Sequence, residues 1–257
     1  MGALSGRTAL VTGGGRGIGR AISERLGRDG ARVGVHYASD EAAAKETAAA
    51  IEAAGGEAFT LRAGLGEEGD AEALWTMFDA HADGLDILVN NAGINKTLDG
   101  TLRPFGEMTR GDIERLFAVN ATAPFFVIQE GLPRLRDGGR IVNVSTGLTH
   151  GAAKSELIGY AMSKGPIDVL TRSLAKELGP RGITVNAVAP GAVDTDMNAA
   201  WLRGGENAGA RAATGARSPL GRVAAPTDIS DIVGFLASND SRWVTGQWID
   251  ATGGALL

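Results

Sequence analysis

The sequence contains no cysteine among its 257 residues. Disulfide bonds, thiolate catalysis and cysteine-ligated metal sites are therefore excluded. Histidine is nearly as scarce, because the chain has only three, His36, His81 and His150, and they lie far apart. No pair of them has the spacing of a metal-binding motif, so we expect no metal site.

Long basic and long apolar runs are also missing. The formal net charge is −5 and no basic block could follow a phosphate backbone, so nucleic acid is not an expected partner. No apolar run reaches the length of a membrane span, and the first residues lack the basic start and apolar stretch of a signal peptide. We expect a cytoplasmic protein with no membrane partner.

Apolar residues, in contrast, are abundant. They make up 44% of the chain, against 21% charged residues, which is enough for a substantial core. Short apolar runs predict strands over 8–11, 32–35, 58–61, 86–89, 140–144 and 183–188, with a seventh over 248–250. Longer amphipathic segments predict helices over about 18–28, 41–54, 70–83, 110–136, 157–179 and 226–238.

Buried strands that alternate with helices are typical of a parallel sheet with crossover connections. No Pro- or Ser-rich linker and no repeat divides the chain. We therefore predict one α/β domain over 1–257, a Rossmann-type doubly wound parallel sheet of about seven strands with helices on both faces. The stretch 192–225 is too long for an ordinary connection and predicts a substrate loop or lid.

A glycine-rich turn, TGGGRGIG over 12–19, follows the first predicted strand. No frame of it fits the pattern G-x-G-x-x-G. It nevertheless opens a predicted helix, where free N–H groups and the helix dipole attract phosphate. Gly13 would permit the tight turn, Gly17 the close approach of a pyrophosphate, and Gly19 close packing of the helix on the sheet. A flexible glycine loop is the alternative for this motif alone.

A tyrosine and a lysine, Tyr160 and Lys164, are four residues apart on a predicted helix. They share a helical face, and an ammonium beside a phenol favours the phenolate, so we expect a lowered pKa for Tyr160. Such a tyrosine can transfer a proton at neutral pH. Ser145 ends the fifth predicted strand, at the edge where parallel sheets bind ligands. A half-buried tyrosine, a surface lysine and a serine that caps a strand are the structural alternative.

Further motifs complete a family resemblance. Asn90–Gly93 follows the fourth strand, Asn120 lies in a predicted helix, and Pro190–Thr195 follows the sixth strand. With the glycine turn and the Tyr160 motif, they occur in the order typical of short-chain dehydrogenases/reductases, which the chain resembles from residue 5 to about 254. The run LTRSLAKELGPRGITVNAVAPG is similar to the bacterial 3-oxoacyl-[acyl-carrier-protein] reductases. The resemblance implies hydride transfer between NADP(H) and a small carbonyl or alcohol substrate.

The resemblance implies a role for four catalytic residues. Ser145 would hydrogen-bond the substrate carbonyl, and Tyr160 would donate the proton, or accept it from the alcohol. Lys164 would hold the nicotinamide ribose and lower the pKa of Tyr160. Asn120 would hold a water that links Lys164 to solvent. For each residue, a purely structural contact is the alternative.

The resemblance also implies a cofactor site made from three turns. Gly93 and Asn91 would lie on the cofactor side of the loop after the fourth strand, and the Pro190–Thr195 turn would hold the nicotinamide carboxamide. The expected cofactor-binding residues are Gly13, Gly15, Arg16, Gly17, Ile18, Gly19, Ser39, Asn91, Ala92, Gly93, Tyr160, Lys164, Pro190, Gly191, Val193 and Thr195.

The end of the second strand bears on the choice of cofactor. NAD-specific relatives carry an acidic residue there, whereas this strand has no carboxylate at the expected place. Arg16 and Ser39 would instead bind a 2′-phosphate, and His36, which could help only when protonated, would add little at neutral pH. Asp40 would repel that phosphate, but we interpret it as the cap of the next helix. We expect NADP(H), with NAD(H) as the alternative.

Three features depart from the family pattern. Gly64 stands where an aspartate near the adenine is usual, and the loop 146–159 is extended. Pro166 lies inside a predicted helix, where we expect a local kink. His150 is interpreted as a solvated loop histidine.

The family's usual assembly implies a homotetramer through helices 110–136 and 157–179 and the last strand, about 247–251. Two alternative functions remain: a sugar, steroid or other secondary-alcohol dehydrogenase that works oxidatively, and a nucleotide sensor without catalysis on the same fold.

Overall fold

The computed structural model describes residues 2–203 and 208–257. Seven parallel strands form one sheet in the order β3-β2-β1-β4-β5-β6-β7. They are β1 (Thr8–Val11), β2 (Arg32–Tyr37), β3 (Glu57–Arg62), β4 (Leu85–Asn90), β5 (Leu135–Val144), β6 (Thr184–Pro190) and β7 (Trp248–Ala251). The strand order reverses between β1 and β4, so a crevice opens at their carboxyl ends.

Helices cover both faces of the sheet. They are α1 (Gly17–Arg28), α2 (Glu41–Ala53), α3 (Asp70–Asp79), α4 (Arg110–Phe117), α5 (Ala123–Gly131), α6 (Ile158–Leu178), α7 (Ala199–Leu202), α8 (Ala208–Gly215) and α9 (Pro226–Ala237). One core joins the sheet to α1, α2 and α9, and a second joins it to α3, α5 and α6. The predicted doubly wound α/β fold is confirmed. Among the described residues, no helix is both long and apolar enough to cross a bilayer.

The predicted helix over 110–136 is wrong as a single element. It divides into α4 and α5 around a π-helical turn at Ala118–Thr122. Its last predicted residues belong to β5, which begins at Leu135 rather than at 140. The start of β5 lacks an apolar pattern, and Gly138 has a φ of +73° there, so the strand signal begins only at its buried second half.

Pro166 does not break the helix that carries the tyrosine motif. Helix α6 continues through it from Ile158 to Leu178. Pro166 lies on the exposed side of α6. There, water can solvate the carbonyl that loses its hydrogen bond to the proline. The expected kink therefore does not interrupt α6.

The stretch 192–225 leaves and rejoins the fold at one place. Val193 pairs with Ala224 in an isolated bridge. The Asp194 N–H donates to the Ala224 carbonyl at 2.9 Å, and the Ala224 N–H donates to the Ala192 carbonyl at 3.1 Å. The two ends of this stretch are therefore paired at a neck, Ala192–Asp194 with Ala224, and α7 and α8 lie between them. Residues 204–207 of the predicted lid lie outside the described residues.

Candidate active site

The glycine turn has the backbone that its sequence predicts. Gly13 and Gly17 have φ angles of +62° and +55°, in the left-handed region that favours glycine. A Cβ atom on Gly19 would lie 2.0 Å from the Gly13 carbonyl oxygen. Only glycine therefore fits at position 19, where α1 begins against the turn.

A buried histidine supports this turn from below. The Gly13 N–H donates to Nδ1 of His36 at 3.0 Å, and Nε2 of His36 lies 2.9 Å from the Ala63 carbonyl oxygen. Because Nδ1 accepts, Nε2 carries the hydrogen and donates it to Ala63. Burial lowers the pKa of His36 to about 4, so the ring is neutral at pH 7. At neutral pH the buried, uncharged ring therefore offers no positive charge to a phosphate.

The glycine turn is also joined to the loop after β4. The Thr12 hydroxyl accepts the N–H groups of Asn91 and Ala92, both at 3.0 Å. In return, Nδ2 of Asn91 donates to the Thr12 and Gly13 carbonyls at 2.9 and 3.1 Å. Asn91 thus shapes the site by holding the turn. Sequence reasoning missed Thr12, although its place at the end of β1, beside β4, was a signal.

The π-helical turn brings Asn120 against the same loop. Oδ1 of Asn120 accepts the Ile94 N–H at 2.9 Å, while Nδ2 donates to the Ile94 carbonyl at 2.7 Å and to the Ser163 hydroxyl at 2.9 Å. A Cβ atom on Gly93 would lie 3.0 Å from Oδ1 of Asn120 and 3.2 Å from Nζ of Lys164. The β4 loop, the π turn and α6 therefore meet here. The expected water at Asn120 stays a prediction.

Burial shifts the pKa values of both Lys164 and Tyr160. Nζ of Lys164 donates to the Val144 carbonyl at 2.8 Å. Burial lowers the pKa of Lys164 to about 8, and the charge of Asp168 opposes part of that shift. Burial raises the pKa of Tyr160 to about 12, with partial opposition from the Thr146 side chain. The expected lowering of the Tyr160 pKa is wrong for this structure, because burial of the phenol dominates and the ammonium binds a backbone carbonyl.

Ser145 has an acidic partner that sequence reasoning missed. Its hydroxyl donates to Oδ1 of Asp168 at 2.6 Å, and its N–H donates to the Val188 carbonyl at 2.8 Å. Asp168 follows Lys164 by four residues on α6, and this spacing was the available signal. The His150 ring lies 3.8 Å (Nε2 to Oδ2) from Asp168 and stacks on Trp248 at 3.8 Å between centroids. His150 is thus an exposed loop residue, as interpreted from the sequence, whose ring also packs on Trp248.

The turn after β6 lies against the glycine turn. Gly17 faces Thr195, since a Cβ atom on Gly17 would lie 3.4 Å from its methyl group. The segment from Pro190 to Thr195 is therefore adjacent to the glycine turn. A cavity of about 340 Å³ lies between them, lined by Gly17, Thr195 and Arg203 among others.

Arg16 and Ser39 flank the junction of the glycine turn with α2. Both side chains are exposed. The Thr47 hydroxyl donates to the Gly15 carbonyl at 3.1 Å, which fixes that junction. Asp40 accepts the Ala43 N–H at 3.0 Å as the N-cap of α2, so its predicted capping role is confirmed. The roles of all these residues toward cofactor and substrate stay predictions.

Comparison with known proteins agrees with this site. The family model described as enoyl-(acyl carrier protein) reductase matches residues 13–255. The versicolorin reductase of Emericella nidulans is 38% identical over 98% of this chain and 96% of its own. The angucycline C-6 ketoreductase LanV, solved with bound NADP, is 46% identical, with a TM-score of 0.92 over 99% of this chain and 97% of its own.

The family model spans nearly the whole chain, and the relatives match it over nearly their full length. The geometry of the site agrees with both. The glycine turn, the loop after β4 and the motif of Tyr160 and Lys164 all converge on one crevice. The chain therefore belongs to the short-chain dehydrogenase/reductase family.

Proposed function

We propose that the protein is a ketoreductase that uses NADPH to reduce a ring ketone of a polycyclic aromatic substrate to an alcohol. The coarser prediction, NADP(H)-dependent carbonyl reduction, is confirmed by its family and by relatives named as ketoreductases. The single observation that carries the proposal is the group of Tyr160 with the buried Ser145 and Lys164 at the carboxyl end of β5. The ring-ketone substrate is supported by the names of versicolorin reductase, hydroxynaphthalene reductase-like Arp2 and LanV.

The turn residues fit a dinucleotide. Gly13 and Gly17 adopt positive φ angles at the N-terminus of α1, and Gly93 leaves room beside Lys164 that a Cβ atom would fill. The glycine turn would hold the pyrophosphate and Lys164 the nicotinamide ribose. NADPH supplies a hydride when bound.

The chain's own residues supply the polar part of the reaction. Ser145 would donate a hydrogen bond to the substrate carbonyl oxygen, where negative charge develops. Tyr160 would donate its phenol proton to that oxygen. A pKa of about 12 keeps this phenol protonated at neutral pH, which is the state that reduction requires.

The second candidate is reduction of 3-oxoacyl thioesters, favoured by the run LTRSLAKELGPRGITVNAVAPG. Oxidation of sugars, steroids or other secondary alcohols is the reverse of the proposed reaction on another substrate. A nucleotide sensor needs no proton donor beside a buried lysine, so the site disfavours it.

A substrate panel distinguishes these functions. NADPH absorbance would be followed with tetralones and hydroxynaphthoquinone-type ketones, with acetoacetyl thioesters, and with steroid and sugar alcohols plus NADP. We expect the highest kcat/KM for bicyclic or larger ring ketones. Preference for the thioester would replace the proposal with the second candidate, and turnover of none by a protein that binds NADPH would favour the sensor.

We further propose an NADPH preference, a homotetramer and a lid over 192–225. The exposed Arg16 and Ser39 beside the capped α2 support the first. Apolar side chains exposed on α5 and α6 support the second. The closed neck at Val193 and Ala224 supports the third. A cytoplasmic location rests on the sequence alone and stays a prediction.

A further inference from the structure

Asp168 is a buried carboxylate that the reaction described above does not use. Only 8% of its side chain is exposed. It lies one helical turn after Lys164 on the same face of α6. Its Oδ1 accepts the Ser145 hydroxyl at 2.6 Å, and its Oδ2 lies 3.8 Å from Nε2 of His150.

The polar groups that face Asp168 all belong to the active site or border it. Ser145 and His150 reach it from the end of β5 and the loop that follows, and the Lys164 ammonium acts on it from its own helix. A buried carboxylate is costly unless hydrogen bonds and opposite charge compensate it. Here Ser145 supplies the hydrogen bond and Lys164, one helical turn away, supplies the opposite charge. The burial of the Asp168 carboxylate therefore depends on the positions of these two side chains.

The bond between Asp168 and Ser145 has a direct consequence for the serine. A serine hydroxyl has one hydrogen, and in this structure it points to Oδ1 of Asp168. This fixes the side-chain rotamer of Ser145. When a ketone oxygen enters the crevice, rotation about the Cβ–Oγ bond would turn the hydroxyl hydrogen of Ser145 from Asp168 to that oxygen. The χ1 rotamer of Ser145 would not change.

We propose that Asp168 is a positioning residue that holds the Ser145 hydroxyl in its reactive place and pairs electrostatically with the Lys164 ammonium. The inference rests on the proposed carbonyl reduction for its effect on turnover. The His150 ring, which stacks on Trp248, borders the group, with its Nε2 3.8 Å from Oδ2 of Asp168.

Two substitutions separate the hydrogen bond from the charge. Asp168→Asn keeps an oxygen that accepts the Ser145 hydroxyl but removes the negative charge. Asp168→Ala removes both. Asp86→Asn is the matched control: this carboxylate accepts the Thr8 N–H at 2.8 Å at the amino end of β4, remote from the crevice.

The first readout is the pH dependence of NADPH binding, followed by nucleotide fluorescence without substrate. Protonated Lys164 binds the ribose, so affinity should fall as the pH rises through about 8 in the wild type. Without the Asp168 charge, the lysine loses its proton at lower pH. We expect the midpoint to move down by about one pH unit in Asp168→Asn and in Asp168→Ala, and to stay in place in Asp86→Asn.

The second readout is turnover of the best ketone. We expect kcat to fall roughly tenfold or more in Asp168→Ala, with substantial rescue in Asp168→Asn at a pH below its shifted midpoint. An unchanged binding midpoint in the folded Asp168→Asn protein, or equal kcat losses in both variants, would overturn the inference. If the wild type reduces no ketone but its binding midpoint still moves on substitution, the proposed function fails and the pairing of Asp168 with Lys164 stands.

Discussion

Burial gives Tyr160 the protonation state of an acid before any ligand binds. With its pKa raised to about 12, the phenol is almost fully protonated from pH 6 to pH 9. We therefore expect that deprotonation of Tyr160 does not limit reduction in that range. The lysine beside it, with a pKa of about 8, is the group that titrates there.

Replacement of Tyr160 by Phe should abolish most turnover. The ring and its packing stay, while the proton donor is lost, so we expect kcat to fall by about 10²–10⁴-fold and NADPH affinity to change little. Steady-state kinetics, nucleotide fluorescence and thermal melting measure the three effects. The control is Ser173→Ala on the same helix, where an exposed hydroxyl donates to the Val169 carbonyl. Retention of most activity in Tyr160→Phe would remove this residue from the mechanism.

Arg16 should carry much of the preference for NADPH. Its guanidinium is exposed at the N-cap of α1, beside the junction with α2. A charge-assisted bond to the 2′-phosphate is worth about 1.5–3 kcal/mol, so Arg16→Ala should lower kcat/KM for NADPH by roughly 10- to 100-fold and barely change that for NADH. Arg28→Ala, at the other end of α1, is the control. A wild-type enzyme that favours NADH would contradict the proposal.

His36 makes the stability of the fold depend on pH. Its pKa is about 4 in the folded protein and near 6.5 in the unfolded chain, so between these values the unfolded state binds more protons. The free energy of unfolding should therefore rise with pH across this window, by up to about 3 kcal/mol from this residue, and reach its full value above about pH 6.5.

Urea unfolding of the wild type and of His36→Asn from pH 4.5 to pH 7.5 measures this contribution. Asn keeps an acceptor for the Gly13 N–H but does not titrate, so the difference between the two proteins should shrink as the pH falls. The exposed His81, substituted by Gln, is the control and should keep the wild-type slope. Parallel curves for wild type and His36→Asn would refute the assignment.

At the scale of elements, periodicity predicted most of the sheet and helices but not their irregularities. Buried strands such as Leu85–Asn90 are continuous apolar runs, which a sequence displays directly. The π turn at Ala118–Thr122 has no comparable signal, because one extra residue per turn leaves a helical apolar pattern almost intact. Sequence reasoning therefore placed Asn120 on a helix but could not show that it joins the β4 loop to α6.

Contacts between distant polar groups were equally hidden. The motif of Tyr160 and Lys164 follows from spacing within one helix. The bonds of Asp168 to Ser145 and of His36 to Gly13 depend on sequence separations of 23 residues each, and only the assembled sheet brings these pairs together.

We expect one carboxylate to hold the proposed lid over 192–225 in its observed position. Asp194 accepts hydrogen bonds from two arginines of the stretch 192–225. Arg203, at the end of α7, donates from Nε at 2.8 Å, and Arg211, within α8, donates from Nη1 at 2.6 Å. Exposed ion pairs contribute about 0.2–1 kcal/mol each, so Asp194→Asn should raise the KM for NADPH roughly two- to tenfold with little loss of kcat. Added salt should do the same to the wild type. Asp137→Asn, which removes the exposed pair with Arg181, is the control; an equal rise there would contradict the latch.

At the scale of the whole molecule, two separate apolar surfaces are exposed. One consists of Phe125 and Phe126 on α5 with Met162 and Val169 on α6, each between 43% and 59% exposed. The other lies near the sheet edge at β7, where Trp243 is 97% exposed and Phe235 of α9 is 43% exposed. A symmetric pair buries one surface against itself, so two distinct surfaces favour a tetramer with two kinds of dimer contact.

Sedimentation velocity tests this assembly at micromolar concentration, with a homotetramer of the 26.3 kDa chain as the expected species. A charge in one surface should leave the other contact intact, so Val169→Asp and Trp243→Asp should each give dimers, and the double variant monomers. Each single variant should keep the wild-type far-UV spectrum, since both side chains are exposed in the protomer. A monomeric wild type would show that neither surface is an interface, and a tetrameric double variant would show that the contacts lie elsewhere.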